Sequence, residues 1–144
     1  MINSFLAGAA RANITPPLGV AIEGGFSPVF ADHVLDELHA NALVLDDGAT
    51  EIAWVSVDVC QMPTGLYNDI AAEVELACGI PKLRLFVTST HTHNAATVGG
   101  VVLGHEIVDW SYVDYLKRQV VTAVLMARRA KQPAAIGAAR AENP

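Results

Sequence analysis

Two apolar runs, Ile52-Ala53-Trp54-Val55-Ser56-Val57-Asp58-Val59 and Leu83-Arg84-Leu85-Phe86-Val87-Thr88-Ser89-Thr90, decide how this chain folds. Each is short, apolar and rich in β-branched or aromatic residues, so each reads as a strand. Between them, residues 63–78 place Leu66, Ile70, Val74 and Ala77 at steps of four, four and three, which is one face of a helix. Gly79 suits the left-handed position beyond the last turn, and Pro81 forbids continuation. Strand, helix, strand is a βαβ crossover, whose two strands run parallel and end on the same edge of a sheet.

Working outward, residues 38–45 and 52–59 flank Asp46-Asp47-Gly48. Asp-Gly between apolar runs is a hairpin signal, so these two runs should pair antiparallel. Residues 5–14 form a further strand, stopped by Thr15-Pro16-Pro17. Residues 18–38 have no clear period and read as a long excursion or lid. Residues 109–131 are helical, with Val113, Leu116, Val120, Val124 and Ala127 on one face. Ser111 with Asp114 resembles a capping box, and Arg128, Arg129 and Lys131 suit the negative end of the helix. Residues 134–141 read as a last strand. The expected fold is α/β: a mixed sheet with at least one βαβ crossover and an antiparallel hairpin, helices packed on the sheet, residues 1–144 in a single domain.

The chain has 144 residues, a length that suits one domain. Apolar residues make up 52% and charged residues only 17%, where an average domain carries about 25% charged. That composition excludes disorder and coiled coil. Nine Lys plus Arg against fifteen Asp plus Glu, a net charge of −6, is the wrong sign for neutralising phosphates, so no nucleic-acid partner is expected. So low a charge content implies that part of the surface is covered, by a further carboxy-terminal segment or by self-association. The longest stretch free of Asp, Glu, Lys and Arg, residues 85–105, is too rich in His, Thr and Gly to cross a bilayer, so no transmembrane segment is expected. Residues 1–10 carry no basic lead into an apolar run, which points to a cytoplasmic protein with Cys60 and Cys78 as buried free thiols.

The edge at which the two parallel strands end carries Asp58 from one and His91 from the other, and ligands of open α/β sheets bind at such edges. His91 begins His91-Thr92-His93-Asn94. Two His at i and i+2 of a strand end can point the same way, and neutral imidazole is a common zinc ligand. The same pair can equally cap the strand end by bonding loop carbonyls. Asp58, between two valines, is either the outer partner of a metal-bound His or an acid/base, or else a carboxylate spent on the backbone of the next turn. His33, His39 and His105 read as surface or structural residues, and Glu106 is within sequence reach of a metal but nothing demands it. There is no G-x-S-x-G elbow, phosphate-binding loop, dinucleotide fingerprint or H-E-x-x-H.

Several segments, in order, resemble the neutral/alkaline (non-lysosomal) ceramidases and their bacterial relatives. They are residues 7–11 (AGAAR) with 13–19 (NITPPLG), residues 42–48 (ALVLDDG) followed by 55–58 (VSVD), Gly79-Ile80-Pro81, residues 88–93 (TSTHTH) and residues 132–137 (QPAAIG). The likeness covers the amino-terminal part of that family's catalytic domain. It implies a zinc-dependent amidase that cleaves an N-acyl bond in an N-acylated lipid such as ceramide. It also implies that His91 ligates zinc and His93 lies by the substrate carbonyl, with Asn94 on the substrate side. The family's other ligands (a His, a Glu and a Tyr) and its nucleophilic Ser come from later segments. Where the family continues with Ser-Gly-Pro, this chain has Asn94-Ala95-Ala96. Three readings therefore stand: the amino-terminal portion of a ceramidase-type hydrolase, inactive as residues 1–144 alone; a non-catalytic shortened relative that acts as an assembly or weak metal-binding module; or a small hydrolase built on His91, His93 and Asp58.

Overall fold

The computed structural model describes residues 5–99 and 107–142. Seven strands and two helices follow one another: β1 (Leu6–Asn13), β2 (Ala21–Ile22), β3 (Val29–Phe30), β4 (His39–Asp46), β5 (Glu51–Val57), α1 (Thr64–Cys78), β6 (Leu85–Ser89), α2 (Trp110–Arg129) and β7 (Gln132–Pro133). A 3-10 turn, Lys82–Arg84, leads into β6. Five strands form one sheet in the order β6-β5-β4-β1-β7, while β2 and β3 pair as a small antiparallel ribbon. Only β5 and β6 are parallel, as the crossover requires; β4–β5, β1–β4 and β1–β7 are antiparallel.

The hairpin between β4 and β5 is held by its own turn residues. The Asp46 carboxylate accepts from Gly48 N–H, and the Asp47 carboxylate accepts from Ala49 and Thr50 N–H. Gly48 takes φ 84°, the conformation that side chains oppose. Period-two alternation then sends Ala40, Ala42 and Val44 of β4 and Ala53, Val55 and Val57 of β5 into the core. Both helices cover that face, with α2 over β1 and β4 and α1 beside α2. On α1 the buried face is Leu66, Ile70, Ala71, Val74 and Cys78, with Ala77 exposed, so the helix is turned slightly from the expected stripe. Gly79 takes φ 72° at its end and Pro81 stops it, as expected. Cys60 and Cys78 are free and buried.

Two expectations are corrected. The cap of α2 is Asp109, whose carboxylate accepts from Ser111 and Tyr112 N–H; a carboxylate reaches the orphan amide hydrogens from the residue just ahead of the helix, which Ser111, already inside it, cannot do. Residues 134–141 form no strand; pairing with β1 stops at Gln132 and Pro133, followed by one further bond from Ala134 N–H to Phe5 O at 3.0 Å. Ile136 is the one β-branched residue of the stretch; the rest is Ala, Gly and Arg, which do little to stabilise a pleated edge. The start of α2 is clamped to the end of β1 by Tyr112, which donates to Ile14 O at 2.7 Å, and Tyr115, which donates to Asn13 O at 3.0 Å. Burial pushes the Tyr112 phenol well above its ordinary pKa.

The other face of the sheet is open. Ala9, Leu43, Trp54 and Phe86 are cross-strand neighbours in one row over four strands, and the three large ones are 38%, 53% and 50% exposed. The low charge content thus has a structural counterpart. No helix is long and apolar enough to cross a membrane among the described residues.

At the far end from that clamp, Lys131 Nζ lies 2.6 Å from Asp46 and 2.5 Å from Glu51, and Arg128 reaches Glu51 at 2.9 Å. The hydrogen bond from Lys131 holds the Asp46 carboxyl below its ordinary 3.8, helped by Gly48 N–H. Hydrogen bonds to Asp46 and Glu51 raise the Lys131 ammonium above its ordinary 10.5. A lowered acid contributes stability above its unfolded pKa and loses it as pH falls through the folded one. A raised base contributes below its unfolded pKa and loses it as pH rises through the folded one. Thermal melts should therefore show stability falling below 3.8 and above 10.5, with both limbs shallower in Lys131→Met. Parallel profiles for the two proteins would remove the cluster from the account.

Candidate metal centre

The parallel strands β5 and β6 end together, and hydrogen bonding continues past both ends: Thr90 N–H donates to Val57 O at 3.0 Å and His91 N–H to Val59 O at 3.1 Å. This brings His91 beside Cys60. His91 then leaves the strand path with φ 62°, the one described non-glycine residue at positive φ. Histidine tolerates that region better than most residues, but it is uncommon and marks positions where the fold enforces a turn. The turn sends the chain back so that His93 faces His91. The Nε2 atoms lie 3.4 Å apart, with ring centroids at 5.0 Å and planes at 76°. The pair meets as the spacing suggested, through a left-handed residue rather than through strand alternation.

His91 Nδ1 lies 2.7 Å from Cys60 O. A carbonyl oxygen only accepts, so Nδ1 carries the proton and the lone pair of the neutral ring sits on Nε2, aimed at His93. Both rings are exposed while Cys60 is buried. Cys60 Sγ is 3.7 Å from His91 Nδ1, and one ligand atom from each of Cys60, His91 and His93 falls within 4.8 Å of the others, a group able to hold a metal ion. The sulfur approaches His91 from the side already engaged by the carbonyl. Burial, with Glu23 nearby, pushes the Cys60 thiol up and so disfavours the thiolate that metals bind.

Asp58 is half-buried on the same edge, turned toward β4. Its carboxylate accepts from His39 N–H at 2.9 Å, and its own N–H donates to His39 O at 3.0 Å. What β5 delivers next to His91 is therefore Cys60, two residues on, because the side chain after Val57 falls on the β4 side. Asn94 is exposed, and its N–H bonds Thr92 Oγ1 at 3.3 Å. His33 pairs with Asp32 at the surface, and His39 lies 3.7 Å from Glu37. His105 and Glu106 lie outside the described residues.

Two neighbours escaped the sequence reading. Gly24 has φ 113°, and a Cβ there would stand 2.4 Å from His93 Cγ, so only glycine leaves room for the ring. Glu23 is buried behind it. Both sit in the aperiodic stretch 18–38, where no period points to any side chain; the adjacent Gly24-Gly25 was the one available signal. The excursion also walls an open groove of about 690 Å³ against His93 and Asn94, with Leu18, Ile22, Phe30 and Leu38 on its sides.

No protein-family model matches this sequence, and no curated protein matches it. Among solved structures, the fold is similar to neutral ceramidase from Pseudomonas aeruginosa, with TM-score 0.79 and 18% identity over 90% of this chain. A structure described as ceramidase complexed with C2 gives TM-score 0.77 and 17% identity over the same share. The chain spans 22% of the length of each.

Proposed function

We propose that this chain is the metal-holding, amino-terminal portion of a zinc-dependent amidase-type hydrolase that cleaves the N-acyl bond of a ceramide-like lipid. The observation that carries the reading is the facing Nε2 pair. Two nitrogens of a tetrahedral zinc site, each 2.0–2.1 Å from the ion, lie roughly 3.3–3.4 Å apart, and His91 and His93 stand at 3.4 Å. That separation is long for an N–H···N hydrogen bond. The Cys60 carbonyl fixes the His91 tautomer that leaves Nε2 free, as outer partners of metal-bound histidines do. The likeness of the fold to ceramidase supports the substrate class.

Zinc held there supplies Lewis acidity toward an amide carbonyl. The chain's own residues do the rest of what is present. His91 and His93 offer nitrogens to the ion, and Gly24 leaves the His93 ring its place. The apolar side of the groove receives an acyl chain next to Asn94 and His93. Asp58 has a supporting part, closing the β4–β5 edge through His39. Further ligands and the nucleophile come from outside the described residues.

A second reading, a non-catalytic assembly or weak metal-binding module, is favoured by the uncovered row Leu43–Trp54–Phe86. The test is zinc uptake followed by an N-acylsphingosine hydrolysis assay, on residues 1–144 and on the longest native form. The proposal expects one zinc per chain, no turnover by 1–144, and turnover by any form that adds the remaining ligands. A native form that takes up zinc stoichiometrically and hydrolyses no amide supports the module instead, and turnover by 1–144 contradicts an incomplete site.

A further inference from the structure

Glu23 is 1% exposed, the one buried acidic side chain among the described residues. Burying a carboxylate is costly unless its oxygens are engaged, and here both are. One accepts from the Thr97 hydroxyl and the other from Gln61 Nε2 at 3.3 Å. The main chain adds to this: Glu23 N–H donates to Ala95 O, and Thr97 N–H to Ala21 O, both at 2.9 Å. One side chain therefore ties together three segments, the excursion at 21–24, the chain just past β5 at 60–61 and the chain after the histidines at 95–97.

Each of those segments carries one wall of the histidine pair. Gly24, next to Glu23, lies against the His93 ring. Cys60, next to Gln61, holds His91 Nδ1. Residues 95–97 fix the far end of the turn that bears both rings. The main-chain bonds align the excursion with residues 95–97, and among the hydrogen bonds of the described residues it is the Glu23 side chain that joins these two to Gln61, just past β5.

We infer that Glu23 is the positioning residue of this site: through Thr97 and Gln61 it sets the spacing at which His91 Nε2 and His93 Nε2 face each other. The inference deepens the metal-site reading above, but its first readout does not depend on it. In metal-free protein, NMR contacts between the Gly24 α-protons and the His93 ring, and between the two rings, should be present in the wild type. They should be lost in Glu23→Ala and kept in Glu23→Gln, whose amide can still accept from Thr97. The second readout is zinc alone. Glu23→Ala should bind it about 10–100-fold more weakly, the usual effect of removing an outer partner, with Glu23→Gln close to wild type.

Val74→Ala, in the last half of α1, is the control for general destabilisation; it should lower the melting temperature and leave both readouts at the wild-type value. Should Glu23→Ala fail to fold, Thr97→Val removes one arm of the tie and should weaken zinc binding and both contacts in part. Retention of the ring contacts in Glu23→Ala (or Thr97→Val, should that variant stand in for it) overturns the inference, as does an equal loss in Val74→Ala. A wild type with intact ring contacts and no zinc uptake overturns the metal reading, and the contacts alone then decide the role of Glu23.

Discussion

His91→Ala lowers zinc affinity by about 100-fold or more. Removing an outer partner of a metal ligand costs about 10–100-fold, and this substitution removes the ligand atom itself together with the proton that anchors it to Cys60 O. His93 is then left as a single imidazole on an exposed turn, and one such ligand does not distinguish this site from any surface histidine. In free energy, a factor of 100 is about 2.8 kcal/mol. Fold stability should fall modestly as well, because alanine takes the positive φ less readily than histidine and the bond to Cys60 O is lost; the loss of zinc affinity is therefore read on folded protein. Cys60→Ser is the companion variant: it keeps the carbonyl and loses the sulfur, so it should bind zinc as the wild type does. Competition against a chromophoric chelator measures both. Equal affinity in wild type and His91→Ala would take His91 out of the site.

Gly8→Ala should be strongly destabilising. Gly8 faces the helices from β1, and a Cβ there would stand 2.1 Å from Ala127 O, 2.7 Å from Lys131 N and 2.9 Å from Ala130 C. All three are backbone atoms at the end of α2, so no side chain can swing aside. The helix end has to lift from the sheet, disturbing the Lys131 contacts with Asp46 and Glu51 and the packing of Ala127. Overpacking of a rigid core costs about 1–3 kcal/mol and occasionally more; with a backbone obstacle the upper end, about 3 kcal/mol, is expected. Gly65→Ala is the contrast. It lies in the first turn of α1 with nothing within 4 Å of its added methyl, so it should stabilise by about 0.4–1 kcal/mol. Urea unfolding of the two variants checks both signs; a loss under about 0.5 kcal/mol in Gly8→Ala, the range of neutral surface changes, would show that α2 is not seated on β1 as described.

What the sequence disclosed and what it concealed follow from where periodicity acts. The hairpin was legible from Asp46-Asp47-Gly48 between apolar runs, and both helices because residues such as Leu116, Val120 and Val124 repeat at the period of a surface that is buried on one side; a helix between two apolar runs then gave the crossover. Residues 134–141 misled for the opposite reason: apart from Ile136 the stretch is Ala, Gly and Arg, with no period and little β preference. The histidine pair was legible as residue types but not as geometry, because the φ of 62° at His91 is set by tertiary bonds to Val59 and Cys60. The same holds for Asp58, whose direction depends on His39 arriving antiparallel beside it. Glu23 left no trace in the sequence and Gly24 showed only as half of Gly24-Gly25, because their roles come from long-range contacts with Gln61, Thr97 and His93.

The most direct measurement of the central claim is zinc K-edge X-ray absorption on the zinc-loaded protein. Ligation by the facing Nε2 atoms predicts a nitrogen/oxygen shell at about 2.0–2.1 Å, outer-shell scattering from two imidazoles, and loss of half of that scattering in His93→Ala. A sulfur shell at about 2.3 Å, or scattering from fewer than two imidazoles in the wild type, would contradict it.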